Sequence, residues 1–166
     1  MNFADAMMAS IERAGVKVAS SVPDSWVESV LEHMNSSEII THVPAAREED
    51  AMGICCGAAL SGVRSLCLMQ NAGALNCGGT LSTFALSYGI PFVMIIADRG
   101  HLGDSPIGHV GKAQVIRPFL DALRIPYYDL SPDFHERNQL VQAFELAEAG
   151  QKPIALMITR ATLGRP

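Results

Sequence analysis

The sequence predicts an α/β fold in three layers (αβα), with a mostly parallel sheet between two layers of helices. Segments with helical spacing of apolar residues alternate along the chain with short apolar runs of strand length. Three of these runs, at residues 65–69, 90–97 and 154–158, are apolar almost throughout instead of at every second position. Such strands are typical of a sheet that is buried on both faces, and therefore of a parallel sheet.

The N-terminal part of the chain predicts two helices and two strands in alternation. The expected helices cover residues 2–14 and 26–34, and the expected strands cover residues 17–22 and 38–43. In the first helix, Phe3, Met7 and Ile11 share one face, and Gly15 ends the pattern. A proline directly follows each of the two strands and marks a turn.

The rest of the chain continues the alternation. We expect strands at residues 63–69, 90–97, 127–130 and 154–159, and helices at residues 47–60, 80–87, 115–123 and 133–149. Glycines predict turns around residues 71–79, and a long loop is expected over residues 99–111, which hold four glycines. Because no long linker or repeat is present, we expect a single domain over residues 1–166.

Composition and charge narrow the class of protein. With 49% hydrophobic and 17% charged residues, the chain is more apolar than a freestanding domain usually is, so we expect a second protein to cover part of it. The net charge of −5 and the lack of a basic stripe argue against nucleic acid. No apolar run could span a bilayer. None of the four cysteines forms a CxxC pair, so we expect buried, reduced thiols and a cytoplasmic protein.

An acidic run, Arg47-Glu48-Glu49-Asp50, begins the third predicted helix in one of the loops that follow strand ends. Three acids at a helix start are favoured by the helix dipole, so the run could be ordinary helix decoration. However, the helix that follows is apolar on nearly every face and is therefore expected to be buried. An acid at the N-terminus of this helix would lie where the core meets the ligand crevice of the sheet, and it could exchange a proton with a bound heterocycle.

Two further segments follow strand ends. The glycine-rich stretch over residues 69–79 is neither a GxGxxG motif nor a P-loop, and it allows a tight turn or the close approach of a ligand. The segment over residues 98–112 gathers the cations Arg99, His101, His109 and Lys112, which suit an anionic substrate. A solvated surface loop is the alternative, and a metal site is the poorer one because no ligand spacing fits. No GxSxG, HExxH or dinucleotide fingerprint is present.

Taken in order, these blocks resemble the pyrimidine-binding domain of thiamine-diphosphate-dependent decarboxylases. The blocks are Val22-Pro23-Asp24-Ser25, Arg47 to Gly53, Met69-Gln70-Asn71-Ala72-Gly73, Gly89-Ile90-Pro91, Arg99-Gly100 and Arg124-Ile125-Pro126-Tyr127. The resemblance covers nearly the whole chain. It is closest to the sulfopyruvate and phosphonopyruvate decarboxylases, especially to a separate alpha subunit.

The resemblance assigns roles to residues of this chain. The family's glutamate stands three residues before an alanine, so Ala51 selects Glu48, which would hydrogen-bond N1′ of the aminopyrimidine and exchange a proton there. Residues expected at the pyrimidine pocket or the adjacent substrate space are Val22, Pro23, Gln70, Asn71 and Gly73. Residues expected to bind an anionic substrate are Asn71, Arg99, His109 and Lys112.

The resemblance also implies a partner. The family's other half binds the diphosphate through Mg²⁺ with a Gly-Asp-Gly block, and this chain has none, since Gly103-Asp104 is followed by Ser and Pro. We therefore expect thiamine diphosphate to be shared with a beta subunit that holds Mg²⁺, in an alpha2beta2 or larger assembly. Active sites of the family lie between the two domain types.

The expected reaction is the decarboxylation of 3-sulfopyruvate to sulfoacetaldehyde and CO₂. Phosphonopyruvate or another acidic 2-oxo acid, a carboligase reaction, and a non-catalytic scaffold or regulatory subunit remain alternatives. Two departures from the family bear on the substrate: Ser21 stands where glycine is usual, and residues 99–112 follow the relatives only loosely.

Overall fold

Six parallel strands form one sheet in the order β2-β1-β3-β4-β6-β5. This computed structural model describes residues 1–104 and 106–164. The strands are β1 (Val18–Ser21), β2 (Thr41–Pro44), β3 (Ser65–Gln70), β4 (Val93–Ala97), β5 (Tyr127–Asp129) and β6 (Ile154–Ile158). Every pairing between them is parallel, which confirms the predicted sheet.

Helices cover both faces of the sheet. They are α1 (Phe3–Arg13), α2 (Glu28–Asn35), α3 (Glu48–Leu60), α4 (Asn71–Asn76), α5 (Gly78–Thr80), α6 (Ile107–Ala122) and α7 (Gln139–Gly150). A π-helical segment, Leu81–Leu86, continues α5. Leu66 and Leu68 pack into a core with α1, α2 and α7, whereas Cys67 and Met69 pack into a second core with α3, α4 and α6. The three predicted layers are therefore present, and β3 is buried on both faces as its composition indicated.

Several predicted boundaries are wrong. Residues 71–76 form α4 directly after β3, where turns were predicted, and α6 begins at Ile107, eight residues before the start predicted at residue 115. Gly108 and Gly111 are poor helix formers, and they concealed the beginning of α6. The last long helix begins at Gln139 and not at residue 133, because the preceding Asn138 has a left-handed backbone with φ of 55°.

The four cysteines are buried and free, as predicted. They lie in the core between β3 and the helices on one face of the sheet. Burial raises the pKa of Cys56 and of Cys77 to about 12, so these thiols stay protonated at neutral pH. Among the residues that the structure describes, no helix has the length and apolar character needed to cross a membrane.

The strand order places a crevice at one edge of the sheet. From β1 the chain passes to β2 on one side, and β3 then pairs with β1 on its other side. In parallel sheets, ligands bind at such a reversal, beside the carboxyl ends of the strands. Here that edge carries Val22 to Ser25 after β1, the start of α3 after β2, and the start of α4 after β3. The predicted site residues belong to these segments and to those that follow β4.

Candidate active site

Glu48 and Gly73 meet where the first turns of α3 and α4 lie against each other. A Cβ atom added at Gly73 would overlap Cγ, Cδ and Oε1 of Glu48, so the carboxyl group rests directly against the glycine. Among the described residues, the Glu48 carboxylate has no hydrogen-bond or ion-pair partner. It is half-buried, and the next inward residues of α3, Ala51 and Met52, are fully buried. The site therefore holds an uncommitted carboxyl group at the boundary between apolar core and crevice.

The neighbouring acid has a different environment. Glu49 accepts a hydrogen bond of 3.1 Å from Arg47, whose side chain is largely exposed. A hydrogen bond from its own backbone and the Arg47 guanidinium hold the pKa of Glu49 below its usual value. The two adjacent carboxylates thus differ: Glu49 is committed to a surface cation, and Glu48 is free to meet a ligand.

Asn71 is fully buried and joins the ends of β3 and β4. Its Nδ2 donates to the carbonyl oxygen of Arg99 at 2.8 Å and to Oδ1 of Asp98 at 3.4 Å. Its Oδ1 is buried without a hydrogen-bond partner among the described residues. Such an unsatisfied acceptor is uncommon in a folded protein. In the part of the chain described, Asn71 therefore both fixes the segment after β4 and carries an unused acceptor.

Arg99 is enclosed by two carboxylates. Its Nη1 lies 3.2 Å from Oδ2 of Asp24, and its Nε lies 3.0 Å from Oδ2 of Asp104. The guanidinium also stacks over the Trp26 ring, 4.6 Å from the ring centre, and the side chain is only 12% exposed. Burial acts to raise the pKa of Asp104, but the hydrogen bonds from Arg99 and from the Gly100 N–H outweigh it, and the pKa is lowered.

Gln70, the last residue of β3, links the charged group of Asp24, Arg99 and Asp104 to Lys112 of α6. Its Nε2 donates to Oδ2 of Asp24 at 2.8 Å, and its Oε1 accepts from Nζ of Lys112 at 3.0 Å. The sequence predicted that Gln70 and Lys112 belong to one site, and the structure brings them into contact. Asp24 is the link that sequence reasoning missed. A buried aspartate three residues after a strand carries no spacing signal that would reveal its partners.

His109 lies beside Asp104, at the edge of the charged group. Its Nδ1 is 3.4 Å from Oδ2 of Asp104, without hydrogen-bond geometry. Gly100 allows this packing, because a Cβ atom there would overlap the carbonyl of His109, and its φ of 94° also favours glycine. The structure therefore brings Arg99, His109 and Lys112 to one end of the crevice. Substrate binding by these three residues stays a prediction.

Val22 and Pro23 follow β1 at the same edge. The Val22 N–H donates to the carbonyl of Leu68 at 3.1 Å, which extends the β1–β3 pairing by one residue, and Pro23 is exposed. Just before them, Ser21 Oγ is 2.8 Å from Nε2 of His42, whose pKa burial lowers. This bond gives the serine that departs from the family's glycine a structural role.

The first turns of α3 and α4 can be tested for fit to an aminopyrimidine. A carboxyl group without a partner suits a ring nitrogen that shares a proton, and the missing side chain at Gly73 leaves the room that the Glu48 side chain occupies. In the described part of the chain, no group of His, Cys, Asp or Glu is arranged to hold a metal ion. The residues present fit the pyrimidine end of thiamine diphosphate.

The three-layer fold is the one expected of a thiamine-diphosphate-binding domain. The family described as "Thiamine pyrophosphate enzyme, N-terminal TPP binding domain" matches residues 1–115. The chain belongs to this family, which confirms the resemblance of the sequence blocks.

Two relatives match over nearly the full chain. The sulfopyruvate decarboxylase subunit alpha of Methanococcus maripaludis is 30% identical over 158 residues, which are 95% of this chain and 95% of that subunit. The subunit of the same name from Methanothermobacter thermautotrophicus is 29% identical over 154 residues, or 93% of each chain.

Two solved structures have the same fold. A Mycobacterium smegmatis chain classed with thiamin diphosphate-dependent enzymes gives a TM-score of 0.71 at 19% identity. The match covers 100% of this chain and 32% of the Mycobacterium smegmatis chain. The 2-oxoglutarate:ferredoxin oxidoreductase of Magnetococcus marinus gives a TM-score of 0.68 at 19% identity, with 100% and 31% covered. This chain therefore spans about a third of each solved chain.

Proposed function

We propose that this chain is the alpha subunit of a thiamine-diphosphate-dependent decarboxylase that converts 3-sulfopyruvate to sulfoacetaldehyde and CO₂. The observation that carries the proposal is the match over 95% of both chains to a subunit of that name. The free carboxylate of Glu48 against Gly73 supplies the chemical group that the reaction needs.

Glu48 is proposed to hold a proton shared with N1′ of the aminopyrimidine. Bound thiamine diphosphate supplies the electron sink for the loss of CO₂. The chain's part is to keep one carboxyl group in a dry, fixed position, because proton exchange is efficient when donor and acceptor are held at hydrogen-bond distance. Fully buried Ala51 and Met52 behind Glu48 support this role, since they exclude water from one side of the carboxyl group.

The residues around Glu48 are proposed to form the pocket. Gly73 leaves room for the Glu48 side chain, and Val22, Pro23 and Gln70, which lie at the ends of β1 and β3, are proposed to line the crevice. The unsatisfied Oδ1 of Asn71 is an acceptor that could be used by a donor on cofactor or substrate once the partner is bound.

A beta subunit is proposed to bind the diphosphate and its Mg²⁺ and to complete the site, in an alpha2beta2 or larger assembly. The chain has no Gly-Asp-Gly block of its own. Large apolar side chains stand exposed beside the crevice, with Leu102 98% and Ile107 93% exposed, and a partner would cover them. Free, buried cysteines support a cytoplasmic site of action.

Reconstitution tests the proposal. The full chain is co-expressed with candidate beta subunits carrying a Gly-Asp-Gly block, and CO₂ release is measured with thiamine diphosphate, Mg²⁺ and a panel of 2-oxo acids. We expect 3-sulfopyruvate to give the highest kcat/KM. A stable complex that releases CO₂ from phosphonopyruvate or pyruvate in preference would contradict the substrate, and one that releases none would contradict the function.

A further inference from the structure

The cations at the carboxyl edge differ in how much of their charge is already used. Arg99 lies between Asp24 and Asp104 at 3.2 and 3.0 Å, so two negative charges surround one positive charge. An incoming anion would have to displace one of these carboxylates from a guanidinium that is only 12% exposed. Breaking a buried pair in this way is costly, because it leaves an unpaired charge behind.

Lys112 has no carboxylate partner among the described residues. Its Nζ donates to Oε1 of Gln70 at 3.0 Å, and this neutral acceptor leaves the full positive charge uncompensated. An ammonium group has three N–H donors, so two remain for a ligand. Lys112 is half-buried, which strengthens its interaction with an anion relative to a fully solvated lysine.

Gln70 can hold Lys112 only in one orientation of its amide. Its Nε2 faces Oδ2 of Asp24 at 2.8 Å, and a carboxylate accepts hydrogen bonds but cannot donate them. The amide oxygen must therefore point the other way, toward Nζ of Lys112. Asp24 is itself fixed, because the Trp26 N–H donates to it at 2.9 Å and Arg99 neutralises it. The chain of contacts runs from Arg99 through Asp24 and Gln70 to Lys112.

We propose that Lys112 is the specificity-determining residue that binds the distal anionic group of the substrate, and that Gln70 and Asp24 are positioning residues for its ammonium group. Arg99 neutralises Asp24 and does not contact the substrate. The inference rests on the proposed function, because it assumes a 2-oxo acid with a second negative charge. Of the predicted cations, it assigns Lys112 to substrate binding and Arg99 to the support of the site.

The test compares substrates that differ in the second charge. In the reconstituted complex, kcat/KM is measured for 3-sulfopyruvate and for pyruvate, which lacks the sulfonate. The specificity ratio is kcat/KM for 3-sulfopyruvate divided by kcat/KM for pyruvate. For Lys112→Met we expect this ratio to fall roughly 10- to 100-fold, mainly because KM for 3-sulfopyruvate rises, as for a lost charge-assisted hydrogen bond. Lys112→Arg keeps the cation and should restore most of the ratio. Lys152→Met, a lysine remote from the crevice at the end of α7, is the matched control and should leave the ratio unchanged.

A charge-balanced double variant tests Arg99. Arg99→Gln with Asp104→Asn removes one charge of each sign, so the site keeps its net charge. Asp24 loses its cation but keeps the hydrogen bonds from the Trp26 N–H and from Gln70 Nε2, so the orientation of the Gln70 amide is retained. We expect the ratio for this variant to stay close to the wild-type value. A fall as large as that of Lys112→Met would assign the anion to Arg99 and overturn the inference.

Asp24→Asn tests the positioning role. An asparagine can donate or accept, so the Gln70 amide loses its fixed orientation and Lys112 loses its anchor. We expect the ratio to fall by less than in Lys112→Met, through KM for 3-sulfopyruvate. Equal losses for both substrates in Lys112→Met would overturn the inference and leave the proposed function intact. A complex that decarboxylates neither substrate would overturn both.

Discussion

Two polar regions at the same edge of the sheet are built in opposite ways. The open region consists of Glu48 and Gly73, where a carboxylate has no partner among the described residues and a glycine keeps a side chain away from it. The locked region consists of Asp24, Arg99 and Asp104, where three charges are largely buried and mutually paired. The difference indicates that the carboxylate of the open region is available to a ligand, whereas the charges of the locked region are used within the fold.

The comparison also separates two cations that the sequence alone does not distinguish. Arg99 is the most prominent cation of the segment after β4, and an anionic substrate was predicted to use it. In the structure its charge is offset by two acids, whereas Lys112 makes only an amide contact. Availability of a charge depends on its partners, and partners that are distant in the sequence are visible only in the fold.

The largest expected effect is the loss of stability when the locked region is broken. Arg99→Met leaves Asp24 and Asp104 buried without their cation, so we expect the free energy of unfolding to fall by about 3–5 kcal/mol, measured by urea denaturation. Arg137→Met is the control, because Arg137 forms an exposed pair with Asp133 and should matter little. If both variants are equally stable, the locked region does not support the fold.

The open region is tested by adding a side chain at Gly73. In Gly73→Ala the new methyl group would occupy the space of the Glu48 side chain, so we expect kcat of the reconstituted complex to fall roughly 100-fold through misplacement of the carboxyl group. Gly79→Ala is the matched control, since a Cβ atom there has no atom within 4 Å. Full activity of Gly73→Ala would contradict the role of this contact.

The smallest expected effect is on the pH dependence of stability. The pKa of Asp104 is below its unfolded value of 3.8, so the folded chain favours the carboxylate. Its stabilisation is complete above about pH 3.8 and is lost as pH falls through the lower, folded pKa. We expect Asp104→Asn to be less stable than wild type at pH 7, by less than Arg99→Met, and the gap to close below pH 3.8. A gap independent of pH would show that the charge of Asp104 contributes nothing.

The layers of the fold could be predicted from the sequence because they depend on local composition. The apolar runs that became β3, β4 and β6 are buried on both faces, and such strands are typical of parallel sheets. The first turn of α6 could not be predicted, because Pro106 and two glycines are typical of loops and the helix forms there despite low propensity.

The site was only partly predictable for a different reason. Glu48 was distinguished from Glu49 by the spacing to Ala51 and the family resemblance. Among the described residues, the structure gives a side-chain partner to the Glu49 carboxylate and none to that of Glu48. The contacts of Asp24 with Gln70 and Arg99 join residues that are 46 and 75 positions apart. Only the strand order brings them together, so no local pattern could reveal them.

Glu48→Gln tests whether the carboxyl group of Glu48 exchanges a proton with the pyrimidine ring. The variant keeps the size and loses the acid, so in the reconstituted complex with thiamine diphosphate and Mg²⁺ we expect CO₂ release from 3-sulfopyruvate to fall roughly 100- to 10,000-fold with an unchanged unfolding curve. Glu49→Gln, its neighbour paired with Arg47, should retain activity. Wild-type turnover in Glu48→Gln would contradict proton exchange by the Glu48 carboxyl group.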